Sequence, residues 1–173
     1  MIFKILGGIL IILTSSYFGF SYSNRYKKRN SQLLGLESAI TILQNEILYT
    51  HTALPEALVK VSLNSITPIN ELFNYISEDL YSNSCESVYA SFKSGFNKIQ
   101  DNLFLKEEDK NIILNLSKSL GDSDLEGERK IFNICTKYIE RQIVKSEELM
   151  KKNVKMYRYL GFALGSALVI LII

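Results

Sequence analysis

Two uncharged apolar runs at opposite ends of this 173-residue chain constrain its fold more than any other feature. Residues 5–22 carry no charged side chain, and residues 159–173 form the second run. A helix that crosses the hydrocarbon core of a bilayer typically needs about 20 predominantly apolar residues. The sequence therefore predicts a transmembrane helix at each end, with a polar domain between them.

Basic residues cluster beside both runs, on the side that faces the middle of the chain. These residues are Arg25, Lys27, Lys28, Arg29, Lys151, Lys152, Lys155 and Arg158. Such clusters favour the cytoplasmic side of a membrane, so we expect a cytoplasmic middle domain and both termini outside. A cleaved signal peptide is the alternative for the first run, and the basic cluster that follows the run argues against it.

Small residues recur at a spacing of four within both runs. Gly161 and Gly165 have this spacing in the second run, and Ser15 and Gly19 repeat it in the first. Small residues at this spacing allow two helix backbones to approach closely within a membrane. These four residues are therefore predicted to lie at helix–helix contacts. The alternative is that glycine is simply common in such helices.

The middle of the chain has the pattern of an all-α domain. Apolar residues recur at steps of three and four, beginning with Leu33, Leu36, Ile40, Leu43 and Ile47. The pattern predicts six helices, the later ones starting near Pro55, Thr67-Pro68, Ser84, Glu107 and Ser123-Asp124. Gly121 is predicted to stop the fifth, and nothing in the sequence breaks the sixth before the second apolar run. The fold is therefore predicted to be a six-helix bundle over residues 24–155, flanked by transmembrane helices at 1–23 and 156–173.

Charge is unevenly distributed along the predicted bundle. Residues 71–124 contain ten acidic and five basic side chains, a net charge of −5, although the whole chain has a net charge of +2. A protein that binds nucleic acid concentrates basic residues on its folded domain. The sequence therefore argues against nucleic-acid binding and favours a domain that offers an acidic surface.

No motif in the sequence predicts catalysis, a cofactor or a metal site. His51 follows the first helix, where capping or solvent exposure is expected, and Glu107-Glu108-Asp109 suits the first turn of a helix. Cys85 and Cys135 are expected on apolar helix faces, as buried free thiols rather than as a disulfide. We therefore predict a protein that is not an enzyme.

Three stretches of the sequence resemble the stage III sporulation protein AB family of endospore-forming bacteria. They are Glu46–Ala57, Leu120–Asp124 with its Leu-Gly turn and following Asp, and Lys152–Phe162, which leads into the second run. The resemblance extends over essentially the whole chain. One departure is Glu128, which stands near a position where the family is expected to have Gln.

The resemblance implies a biological role that the residues alone do not. The family is similar to the cytoplasmic domains of the inner-membrane platform protein of type II secretion and type IV pilus systems. It implies an assembly component of the secretion-like complex between mother cell and forespore, in the outer forespore membrane with its domain in the mother-cell cytoplasm. The expected partners are a hexameric secretion-type ATPase, other membrane components and the lipid bilayer, and a homo-oligomer is left open.

Acidic residues are the candidates for partner binding. They are Glu46, Glu56, Asp101, Glu107, Glu108 and Asp109. Exposed carboxylates at these positions would suit a basic patch on an ATPase. The alternative function is a membrane-tethered helical sensor or regulatory interaction protein, which would normally place its sensing domain outside.

Overall fold

The computed structural model describes residues 2–120 and 125–172, and within these ranges the chain is helical with no strand. Six α-helices and one short 3₁₀ helix, Gln100–Asn102, account for the regular structure of these two ranges. The α-helices are α1 (Ile2–Leu48), α2 (Leu54–Leu63), α3 (Ile69–Tyr81), α4 (Val88–Lys98), α5 (Glu107–Ser117) and α6 (Leu125–Ile172).

The predicted transmembrane helices are wrong, because no helix among the described residues is long and apolar enough to cross a membrane. In the first run, the polar residues Thr14, Ser15 and Ser16 interrupt the apolar sequence. The second run, residues 159–173, falls short of the usual length of about 20 residues and directly follows Arg158.

The chain divides into two compact units. One comprises Met1–Asn30 with Lys145–Ile173, and the other comprises Ser31–Val144. The long helices α1 and α6 each contribute residues to both units. Helix α6 runs without a break through Val144, and its sequence contains no helix-breaking residue there. The predicted domain boundaries at residues 24 and 155 stay a prediction.

The core of the Ser31–Val144 unit is built from the apolar stripes that the sequence predicts. The stripe of α1 is fully buried at Leu33, Leu36, Ile40 and Leu43. The largest other fully buried side chains are Phe73, Phe92, Phe132, Leu58, Ile69, Leu72, Ile76 and Ile113. Burial of each such side chain stabilises the fold by about 1.5–3 kcal/mol, so this core carries most of the stability of the unit.

Proline and serine fix the starts of the short helices. Pro55 lies in the first turn of α2, where its missing N–H costs no hydrogen bond, and Pro68 precedes α3. The predicted start of α4 near Ser84 is too early, because the residue that caps the helix is Ser87, whose Oγ accepts a hydrogen bond from the Ala90 N–H at 3.1 Å. Asn83 has a positive φ of 48° and holds the preceding segment in a turn.

Two predicted boundaries cannot be compared with the fold. Gly121, the predicted stop of the fifth helix, and Ser123-Asp124, the predicted start of the sixth, lie outside the described residues. Within them, α5 ends at Ser117 and α6 begins at Leu125.

Candidate docking surface

At the corner between α1 and α2, Glu46, one of the predicted binding residues, takes part in a local hydrogen-bond network. Its Oε2 accepts hydrogen bonds from Lys60 Nζ at 2.6 Å and from Thr52 Oγ1 at 2.7 Å. The Thr52 N–H also donates to the Glu46 carbonyl at 2.9 Å, so the chain reverses direction around this glutamate. The hydrogen bond from Lys60 lowers the pKa of Glu46 most, and the hydrogen bond from Thr52 lowers it further. Glu46 is therefore engaged within the fold.

Two other features of the same corner face solvent. Glu56, in the first turn of α2, is exposed and has no ionic partner among the residues that the structure describes. His51 is also exposed, and its φ of 53° places it in the left-handed region just after α1 ends. The exposure of Glu56 leaves its carboxylate free to meet another molecule.

The second group of predicted binding residues surrounds the start of α5. Asp101 and Glu108 are exposed, and Glu107 is 79% exposed while it pairs with Lys110 at 2.7 Å. Carboxylates in the first turn are also favoured by the positive end of the helix dipole. This segment thus presents three exposed acidic side chains within eight residues, 101–108.

Asp109 belongs to the same acidic run but has a different role. Its side chain is fully buried, and its Oδ2 accepts a hydrogen bond from the Lys106 N–H at 2.8 Å. That N–H lies at the start of α5, where no carbonyl of the helix can reach it. Asp109 therefore satisfies the end of the helix and is not available at the surface.

The predicted small-residue contacts lie in the unit formed by the terminal segments. A Cβ atom added to Gly19 would come within 2.6 Å of the Tyr157 carbonyl oxygen and 3.1 Å of Gly161 Cα. Ser15 Oγ donates a hydrogen bond to the Gly161 carbonyl at 2.6 Å. The structure thus brings Ser15, Gly19 and Gly161 together, and Gly165 is buried one turn further on. The prediction that these contacts lie within a membrane depended on the transmembrane helices, which the described residues do not show.

An open groove between α5 and α6 is the surface that sequence reasoning missed. The groove has a volume of about 440 Å³. Its apolar floor is formed by Ile112, Leu116, Ile131, Ile134, Cys135 and Tyr138. Ile134 and Tyr138 remain 45% and 50% exposed, although their spacing predicts core positions. The signal that could have revealed the groove is the width of the apolar face of α6, which extends from the buried Phe132, Cys135 and Ile139 to the exposed Ile134 and Tyr138.

The two cysteines are both free, as predicted, but differ in burial. Cys135 is buried at the base of the groove, and burial raises its pKa to about 12. Cys85 is only half-buried and precedes α4, so its predicted place on a helix is wrong. A hydrogen bond to Asp79 raises the pKa of Cys85, and both thiols are therefore protonated at neutral pH.

These features define a class of protein. Over the ranges 2–120 and 125–172, no group of three or more His, Cys, Asp or Glu side chains could hold a metal ion. What the structure offers instead is an exposed acidic segment and an open apolar groove on a compact helical unit. The fold and these surfaces define an all-α protein whose candidate sites are surfaces for binding other molecules.

The chain belongs to the stage III sporulation protein AB family, whose sequence profile matches residues 4–173. It is 28% identical over 169 residues to the stage III sporulation protein AB of Bacillus subtilis (strain 168), and this alignment covers 98% of each chain. A solved structure of a stage III sporulation protein AB has the same fold, with a TM-score of 0.66 and 24% identity, and covers 71% of this chain and 96% of that one. The resemblance seen in the sequence is thereby confirmed, and the chain is a sporulation protein.

Proposed function

We propose that this protein is a non-enzymatic assembly component of the sporulation secretion-like complex between mother cell and forespore, and that it docks a hexameric secretion-type ATPase. The helical unit Ser31–Val144 is the docking module, placed on the mother-cell side of the outer forespore membrane. The resemblance of the family to secretion platform proteins supports this location and the choice of an ATPase as the partner.

The observation that carries the proposal is the exposed acidic segment at residues 101–108. Asp101 and Glu108 have no ionic partner in the described part of the chain. Glu107 forms an ion pair with Lys110, three residues further along α5. Carboxylates that the fold does not use for its own stability can pair with a basic patch of a partner and steer its approach. Glu56 offers a further exposed carboxylate on α2.

The test is a triple charge reversal, Asp101→Lys with Glu107→Lys and Glu108→Lys, in the full-length protein. The expected result is a loss of roughly ten-fold or more in affinity for the ATPase, since close charge pairs at interfaces couple strongly. The measurement is a quantitative pull-down of a purified hexameric secretion-type ATPase, with circular dichroism to establish that the variant is folded.

Glu71→Lys with Glu126→Lys and Glu140→Lys is the matched control, because it changes the net charge by the same amount at three exposed acids of the same unit. It should bind the ATPase as the wild type does. Undiminished binding by the folded triple variant would show that the acidic segment is not part of the interface. Equal losses of affinity in both proteins would show that the change in net charge causes the effect.

A further inference from the structure

The groove between α5 and α6 is bordered by two edges of different chemistry. On the α5 side, the lining side chains are Asn111, Asn115 and Ser119, preceded by Glu108 at one end. Apart from that glutamate, this edge is neutral and offers only hydrogen-bonding groups. The apolar floor lies between this edge and α6.

Beside the groove, outside the residues that line it, α6 carries a row of cations. Lys130, Lys137 and Arg141 lie four residues before, three after and seven after Ile134, which places them in one row along the helix beside that floor residue. The Arg141 guanidinium lies 5.7 Å from the centre of the Tyr138 ring, so its charge is held at the groove wall. All three cations lack an ion pair among the described residues.

An apolar floor bordered by one cationic row selects the chemistry of an occupant. An amphipathic helix would bury its apolar stripe against Ile134 and Tyr138, as in other helix-in-groove complexes. Acidic side chains spaced seven and four residues apart on one flank of that helix would meet Lys130, Lys137 and Arg141. A helix with a basic flank would meet like charges along the same edge.

We infer that the α5–α6 groove is a binding site for an amphipathic helix of a partner protein that carries a row of acidic residues beside its apolar stripe. This site differs in chemistry from the acidic segment that docks the ATPase in the proposed function, and the two meet at Glu108, which lies at one end of the groove. The occupant inserts apolar side chains over Ile134 and Tyr138, and the cationic row of α6 fixes its direction and register.

The probes are two synthetic helical peptides of about five turns, or 18 residues. Both carry the same leucine stripe, and one has glutamates and the other lysines along a single flank. Each is labelled with fluorescein and titrated with the full-length protein, with anisotropy as the readout. The acidic peptide is expected to bind at least roughly ten-fold more tightly than the basic peptide, with a preference that weakens as salt is raised.

Three variants locate the binding. Ile134→Asp should weaken acidic-peptide binding by about ten-fold or more, because it places a charge on the apolar floor. Val144→Asp is the matched control, since Val144 is a 58% exposed apolar residue of the same helix outside the groove lining, and it should bind normally. Lys130→Glu with Lys137→Glu and Arg141→Glu should reverse the preference toward the basic peptide.

Some outcomes would overturn the inference. Equal binding of both peptides, or unchanged binding by folded Ile134→Asp, would contradict it. Self-association of the wild type that Ile134→Asp abolishes, without peptide binding, would show that a second copy of the chain occupies the groove. Failure of the ATPase pull-down would leave the peptide result unaffected, because the two tests change different residues.

Discussion

Glu46 and Lys60 form a 2.6 Å ion pair that joins the end of α1 to α2 across the corner between them. Glu46 is 20% exposed at its side chain and Lys60 46%, and Thr52 adds a third group to the network. Glu46, which is predicted to bind a partner, therefore also contributes to the structure of the corner. A charge reversal at Glu46 would change the corner as well as the surface.

Reversal of Glu46 alone should destabilise the protein, and a swap of the two charges should recover part of the loss. Glu46→Lys places two cations together at the corner, and we expect a decrease of roughly 3 °C in melting temperature, as is typical of partly exposed pairs. Glu46→Lys with Lys60→Glu restores opposite charges. The measurement is thermal unfolding of both variants, and an equal decrease in the two would show that the ion pair does not stabilise the corner.

The contribution of this pair should depend on pH with a defined sign. Lys60 and Thr52 lower the pKa of Glu46 from its ordinary value of 4.5, so the ionised carboxylate stabilises the folded state. The stabilisation is fully present above that ordinary value and is lost as pH falls through the lower folded-state pKa. The difference in melting temperature between the wild type and Glu46→Gln should be constant near neutral pH and disappear on acidification. A difference that persists in acid would exclude ionisation as its cause.

Removal of the buried Asp109 carboxylate should destabilise α5. Asp109→Ala leaves the Lys106 N–H without its 2.8 Å acceptor, and the expected loss in free energy of unfolding is about 1–3 kcal/mol. Urea denaturation of the full-length protein provides the measurement. Glu108→Ala, at an exposed neighbouring position, should change the free energy of unfolding by no more than about 0.5 kcal/mol. Equal effects of the two substitutions would assign the loss to net charge in the first turn.

A side chain at Gly19 should force apart the two helical segments of the terminal unit. Gly19→Ala brings a Cβ atom within 2.6 Å of the Tyr157 carbonyl oxygen, and overpacking of this kind costs about 1–3 kcal/mol. We expect roughly ten-fold faster hydrogen exchange of amides around residues 15–22 and 157–161. Gly7→Ala is the control, because a Cβ atom at Gly7 meets no atom within 4 Å. Identical exchange in both variants would mean that close backbone approach at Gly19 is not needed.

The helices of the Ser31–Val144 unit could be predicted because their signals are local. Pro55 in the first turn of α2, the acidic first turn of α5 and the apolar stripe of α1 each act within a few residues of the chain. The start of α4 could be predicted only approximately, because several serines precede that helix and local sequence does not decide which serine adopts the extended backbone of a cap. Ser87 has that backbone in the structure.

The sequence by itself determined the helical class, the family, and the concentration of acidic side chains on one part of the chain. Only the tertiary structure decided which acids remain available. Glu46 pairs with Lys60, 14 residues away, and Asp109 turns inward to its helix end, while Glu56, Asp101, Glu107 and Glu108 stay exposed. The groove and the approach of Gly19 to Gly161 likewise depend on which helix faces meet. Helix formation follows from hydrogen bonds within a few residues, whereas exposure and pairing depend on contacts between distant segments, which periodicity does not specify.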